Sequence, residues 1–219
     1  MAGSRKADPR ESILGAASEL FGRHGFQAVG VDRIAEESGV AKMTLYRAFS
    51  SKDDLIAAYL DLEHDRLWQW LRSTTADLDD PAARLRAFYE ALAVRTASAA
   101  CTGCPFQIAA SEFPDPRHPA NRRARSHKRG LRAQLEQWAH SAGLADAERM
   151  ANQLFLLMEG AWAAARMHLD DGPGSSAAAA AMLLIEGARF VQAAAALPDA
   201  PGRSPAAGSS AAASTKRDL

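Results

Sequence analysis

With 219 residues the chain is long enough for one large domain, or for a small domain joined to a larger one, and long enough to bury a sizeable core. Its 26 Lys and Arg balance 26 Asp and Glu, so affinity for a polyanion must come from local patches and not from the field of the whole molecule. No stretch approaches the roughly 20 consecutive apolar residues of a membrane helix, Met1 to Arg10 carries charges without the apolar centre of a secretory signal, and two cysteines are too few for a disulfide scaffold. The expected compartment is the cytoplasm, with no membrane contact.

Strand signals are nearly absent, and apolar residues recur at helical spacing almost throughout, so the chain is expected to be all-α. Ile13, Leu14, Ala17, Leu20 and Phe21 share one face of a helix from about Pro9 to His24, which Gly25 ends. A short helix from about Val31 to Ser38, stopped by Gly39, turns Val31, Ile34 and Ala35 inward, and a second runs from about Lys42 to Phe49. Ser50 or Ser51 caps a long helix from about Lys52 to Ala76, with Asp53 and Asp54 complementing its dipole. Its candidate core positions are Leu55, Ile56, Tyr59, Leu62, Leu67, Trp70 and Leu71. Helices follow over about Ala82–Ala99, Phe106–Phe113, Ala120–Ala142, Ala147–Leu169 and Ala177–Leu197. They are separated by Asp79-Asp-Pro81, Cys101-Thr-Gly-Cys-Pro105, the prolines at 114, 116 and 119, Gly143, and Asp170-Asp-Gly-Pro-Gly174. Residues 198–219 are Pro, Gly, Ser and Ala with a few charges, too poor in apolar side chains to pack, and are expected to form a disordered tail.

The helix at Lys42 is unusual in composition. Val40, Leu45 and Phe49 have the spacing to anchor it, which turns Lys42, Met43, Thr44, Tyr46 and Arg47 outward. Such a face suits a major groove: hydroxyls bond base edges or phosphate, the Thr methyl meets a thymine methyl, and cations neutralise phosphate. Lys52, opening the next helix, adds a phosphate contact at a helix N-terminus. On spacing alone the same pattern also suits a plain three-helix cap with a solvated polar face.

Ala16-Ala-Ser-Glu-Leu-Phe21, Gly25-Phe26, Val31-Asp-Arg-Ile-Ala35, Gly39-Val40, Lys42-Met-Thr-Leu-Tyr-Arg47, Phe49 and Ser51-Lys-Asp-Asp-Leu55 stand in one order and spacing. This stretch, Ile13 to Leu60, resembles the N-terminal domain of the TetR/AcrR family of bacterial transcriptional regulators. The resemblance implies an α-helical homodimer in which a three-helix, helix-turn-helix DNA-binding domain, here 1–51, precedes a helical ligand-binding and dimerisation domain, here 52–197. It implies that Lys42, Met43, Thr44 and Tyr46 lie on the recognition helix, with Tyr46 and Lys52 on phosphates. Two departures stand out. Val29 and Gly30 replace the Thr or Ser pair that commonly caps the second helix, leaving the Gly30 N–H as a substitute donor, and Ala48 replaces a side chain that often reaches the backbone. Arg5, Lys6 and Arg10 are candidates to compensate from the N-terminal arm, unless that arm is simply solvated.

A second segment, Gly103-Cys-Pro-Phe-Gln with Ala109-Ala-Ser-Glu-Phe-Pro-Asp-Pro116 and His118-Pro119, resembles a subgroup of the same family. It places Cys104, Phe106 and Phe113 near the long helix; with Trp68, Phe88, Leu92, Phe155, Met158 and Trp162 they are candidates to line an apolar cavity for a small, largely apolar effector, or else ordinary core. Cys101 and Cys104 form a C-x-x-C pair without the further ligands a metal site needs, so neither metal nor cofactor is expected; a thiol switch is the alternative to two small residues in a connection. Arg117, Arg122, Arg123, Arg125, Lys128, Arg129 and Arg132, with His118 and His127, form a basic run without an acid, expected as a solvated helix face. Leu154, Leu157, Met158, Ala161 and Ala165, then Met182, Leu183, Ile185, Arg189, Phe190 and Val191, make apolar faces broader than a monomer needs, and by the resemblance these two helices form a four-helix dimer interface.

The sequence thus points to a ligand-responsive transcriptional regulator: a homodimeric repressor of a palindromic double-stranded DNA operator, released when a small molecule enters the C-terminal cavity. The alternatives are a repressor gated by oxidation of Cys101 and Cys104, or a small thiol-dependent enzyme. The enzyme reading lacks both a βαβ context and a Ser-His-Asp or paired-carboxylate constellation.

Overall fold

Local signals in the sequence set where most helices start. The computed structural model describes residues 8–167 and 172–195, and among them nine helices and no strand form. Arg5, Lys6, the expected last turn at Leu169, Leu197 and the segment 198–219 lie outside the described residues, as does the side chain of Val191. Helix α1, Pro9–His24, starts on Asp8, whose carboxylate accepts the Arg10 N–H at 3.0 Å, with Pro9 in the first turn. Helix α2, Val31–Ser38, ends at Gly39, whose φ of +66° is a left-handed conformation that costs glycine little; its N–H returns to the carbonyls of Ala35 and Glu36. Helix α3, Lys42–Ala48, stops at Phe49 in extended conformation.

Helix α4, Lys52–Thr75, is capped by Ser51, which accepts the Asp54 N–H at 3.0 Å while the Asp54 carboxylate accepts the Ser50 N–H at 3.0 Å. Helices α5, Pro81–Ala97, α6, Pro105–Glu112, and α7, Pro119–Ser141, each start one residue before the expected Ala82, Phe106 and Ala120, on a proline, because a proline in the first turn forfeits no hydrogen bond. Helix α8, Ala147–Arg166, follows an Asp146 cap. Helix α9, Pro173–Ala195, begins four residues before the expected Ala177, since Gly-Pro-Gly starts this helix and does not merely interrupt the chain. Gly174 lies against Thr96 and Ala93, where a side chain would collide with α5, so the glycine permits the close α5–α9 packing.

Helices α1 to α3 pack on one another, and α1 also packs on α4; α4 in turn packs on α5, α6 and α7, so one helix carries both halves of the molecule. Leu55, Ile56, Tyr59, Leu67 and Leu71 of α4 are buried as expected, together with Leu60; Leu62 and Trp70 are only half-buried. Ile13, Phe21, Ile34, Leu45 and Phe49 close the core of the first three helices, with Val40 half-buried at its edge. Leu45 is the fully buried residue within α3 itself. Leu45→Ala is therefore expected to lower the unfolding free energy by about 2–5 kcal/mol, the usual cost of a buried Leu-to-Ala cavity, measured by denaturant titration.

Candidate functional site

The core that holds Leu45 and Phe49 inward leaves the opposite face of α3 to solvent. Met43 is 67% and Tyr46 43% exposed, large apolar surface on a short helix; Lys42 and Arg47 are exposed and Thr44 is half-buried. Lys42 Nζ lies 2.6 Å from Asp32 Oδ1, and that carboxylate raises the Lys42 ammonium above its usual range, keeping it charged. Gly30 is exposed at the N-cap of α2 in extended conformation, with open space where a side chain would be; no side chain caps that helix end. Lys52 flanks the same edge, its Nζ 3.5 Å from the Gln27 carbonyl. The structure therefore places Gly30 at the start of α2, Lys42, Met43, Thr44, Tyr46 and Arg47 on α3, and Lys52 at the start of α4 beside the three-helix head. Arg10 does not join them. Its guanidinium stacks 4.3 Å over the Phe49 ring and donates to the Ala48 carbonyl at 3.0 Å, so this part of the arm buttresses α3 and is not free to reach DNA.

The expected effector residues divide. Phe88, Cys104, Met158 and Trp162 meet around one pocket with Leu67, Leu131, His127 and Lys128, but it is closed down to about 10 Å³, room for one water molecule. The other five lie off this pocket. Leu92 is fully buried; Phe106 stacks on His127 at 3.7 Å; Phe113 stacks on His118 at 4.2 Å and meets Phe26; Phe155 is half-buried against the core. Trp68 lies beside His64 and Gly130, its buried indole N–H without a partner among the described residues. A second, larger cleft of about 890 Å³ lies between α1 and the C-terminal helices, and its lining includes Arg23, Arg66, Arg95 and Arg166. Sequence reasoning missed it, because these arginines come from α1, α4, α5 and α8 and only the fold assembles them.

The basic run is not a uniformly solvated face, since α4 and α8 supply the acids that it lacks in sequence. Arg123 makes a two-pronged pair with Asp61 at 2.8 and 3.1 Å, half-buried Lys128 pairs with Glu159, and Arg132 lies near Glu136 and Glu148. His127 is buried, its Nδ1 3.0 Å from His64 Nδ1 and its Nε2 without a partner among the described residues. Burial, then Lys128 and His64, hold His127 down to about 3, so it is neutral in the folded chain. Cys101 is half-buried and Cys104 buried, both as free thiols, and among the described residues no three His, Cys, Asp or Glu side chains converge as a metal site would need.

The apolar faces of α8 and α9 are also redistributed. Leu154, Met158, Ala161, Ala165 and Ile185 are buried within the protomer, whereas Leu156, Leu183 and Phe190 are 68%, 73% and 75% exposed. Gly160 and Gly187 are exposed on the same stripes, with open space above them.

Comparison with known proteins agrees with this architecture. Residues 13–59 match the profile of bacterial regulatory proteins of the tetR family, and residues 81–181 match that of the tetracyclin repressor-like C-terminal domain. The transcriptional activator FasR of Mycolicibacterium smegmatis is 43% identical over 82 residues, 37% of each chain, and the regulator LmrA of Bacillus subtilis is 31% identical over 110 residues, 48% of this chain and 57% of that one. The match thus spans little more than a third of the first relative and somewhat over half of the second. SCO4454, a TetR-family regulator from Streptomyces coelicolor, superposes with a TM-score of 0.79 at 28% identity over 82% of this chain and 95% of that one. The helix-turn-helix head on a helical C-terminal domain is that of a DNA-binding transcriptional regulator. The chain belongs to the TetR family.

The neutral His127 has a consequence for stability. An unfolded chain takes up this proton near the usual value of 6.5, the folded chain only near 3, so the stabilisation is complete above about pH 6.5 and is lost as pH falls towards 3. The drop in Tm from about pH 7 to about pH 5 is expected to be larger in the wild type than in His127→Gln; equal drops would contradict the assignment.

Proposed function

We propose that the chain is a homodimeric repressor that binds a palindromic operator through α3 and leaves it when a small molecule binds the C-terminal domain. The observation that carries the reading is the face of α3: Met43 and Tyr46 stand exposed between Lys42 and Arg47 on a helix whose Leu45 is fully buried. Held so, the face can enter a major groove without unfolding the head. Thr44 and Met43 are the proposed base contacts, and Tyr46, Arg47, Lys52 and the Gly30 N–H the proposed phosphate contacts. The protein then works in the cytoplasm, where the DNA is.

The reading requires two heads. Leu156 and Gly160 on α8, and Leu183, Gly187 and Phe190 on α9, recur at helical spacing on exposed faces of two helices that pack together. A second copy would bury these leucines and the phenylalanine, and the glycines let the helices approach closely. Domain bounds of 1–51 and 52–197 fit this division of labour, with α4 starting at Lys52. Ligand entry would have to open the closed pocket around Phe88, Cys104, Met158 and Trp162 and thereby displace α4.

The basic test is a fluorescence-anisotropy titration of the protein against DNA from its own upstream region, at two salt concentrations, with scrambled DNA as control. Salt-sensitive binding that the scrambled DNA does not match supports the reading; equal binding to both contradicts it for that DNA. Tyr46→Ala and Lys52→Ala are each expected to weaken operator binding about tenfold while leaving the dimer intact, and Lys52→Ala to flatten the salt dependence by about one unit of slope. The double variant Leu183→Glu, Phe190→Glu is expected to sediment as a folded monomer and to lose most operator affinity, because it strips the exposed stripe without touching the core.

A further inference from the structure

The cleft between α1 and the C-terminal helices holds four arginines in unequal states. Arg23 faces Glu19 at 3.4 Å and Arg66 faces Glu63 at 2.7 Å, so those charges are matched. Arg95 and Arg166 have no carboxylate at ion-pair distance among the described residues. The Arg95 guanidinium is held 5.0 Å from the ring of Trp70 and 5.7 Å from that of Trp162. Stacking of that kind fixes the group and leaves its in-plane N–H fork for a planar anion. Arg166 commits only Nη1, which donates to the carbonyls of Gly22 at 2.5 Å and Thr102 at 3.1 Å.

The cleft and the closed apolar pocket share a wall: Leu67, Cys104 and Trp162 line both. Beyond that wall the lining is Phe88, Leu131 and Met158, with buried His127, whose Nε2 has no partner among the described residues, at its side. The outer space thus offers fixed, unmatched positive charge, and the inner one apolar surface with one unsatisfied polar atom.

We propose that cleft and pocket together form a single site for an amphipathic organic anion. Its carboxylate, sulfonate or phosphate group is held by Arg95 and Arg166, and its apolar body passes Trp162 into the pocket. As the identity of the effector this deepens the regulator reading above and rests on it; as a binding site it stands without DNA. The headgroup takes the donors of Arg166 that Nη1 leaves free, and Nη1 holds the Gly22 carbonyl of α1, so the site shares one guanidinium with a tie between the C-terminal domain and the head.

The probes are anilinonaphthalene sulfonate, an aromatic anion, and phenylnaphthylamine, its uncharged congener, each titrated by fluorescence against the full chain. The sulfonate is expected to bind saturably and more tightly than the amine. Arg95→Gln is expected to weaken it about tenfold, and Ala99→Glu, a carboxylate added at the exposed rim of the cleft, about threefold, while amine affinity stays within about twofold in both. Ala99 makes no core contact, so this variant keeps the test readable if Arg95→Gln unfolds, which a circular-dichroism melt reports. Sulfonate affinity unchanged in the folded variants, or amine binding as tight as sulfonate binding, overturns the proposal. Operator binding is measured separately and without probe: its failure would strike the regulator reading and leave the anion site standing.

Discussion

Everything proposed for this molecule depends on how the three-helix head is joined to the helices behind it. The joint is an aromatic cluster: Phe21 of α1 and Phe26 lie 5.1 Å apart, each within 5.8 Å of Tyr59 of α4, and Phe26 also meets Phe113 at the end of α6 at 5.9 Å. Rings packed at these distances, edge to face at Tyr59 and tilted at the other two pairs, bury large apolar areas and resist sliding, because interiors at near-crystalline density move between discrete packings and do not deform smoothly. Two polar ties flank the cluster. The Glu112 carboxylate accepts the Gln27 N–H at 2.6 Å, and Arg166 donates to the Gly22 carbonyl. A displacement of α4, α6 or α8 therefore reaches the head.

The same geometry explains why charge balance over the whole chain says little about its local behaviour. Several cations of the head and of α7 are matched, as Lys42 is by Asp32, Arg123 by Asp61 and Lys128 by Glu159. Each such pair orients a side chain at small net gain in stability where it is exposed. Positive charge without a carboxylate partner among the described residues remains elsewhere, as at Arg47 on the outward face of α3 and at Arg95 and Arg166 in the cleft. Those are the places where an anion finds an uncommitted donor.

Features encoded by neighbours in sequence were legible, and those encoded by distant segments were not. Asp8, Ser51 and Gly39 announce their helix ends through backbone groups a few residues away, and the alternation of Leu45 and Phe49 with Lys42, Tyr46 and Arg47 is enough to orient α3. Pro173 misled because Gly-Pro-Gly suits both a loop and a helix start, and only the packing of Gly174 on α5 decides. The candidate effector set mixed pocket with core for the same reason: helical spacing tells that Phe106 and Phe113 are buried but not that one stacks on His127 and the other on His118. Likewise a broad apolar face on α8 and α9 does not reveal that Ile185 packs inside the protomer while Leu183 two residues earlier stays exposed. Arg10 appeared free in sequence and is occupied because Phe49, 39 positions on, lies beneath it.

In the proposed dimer, two identical heads, fixed by this joint and by an α8–α9 interface, address DNA together. Hydroxyl-radical footprinting of the full chain on its operator tests it most directly. Two protected patches are expected on one face of the duplex, related by a dyad and about one helical turn, roughly 34 Å, apart. A single patch, or protection without that period, would contradict it.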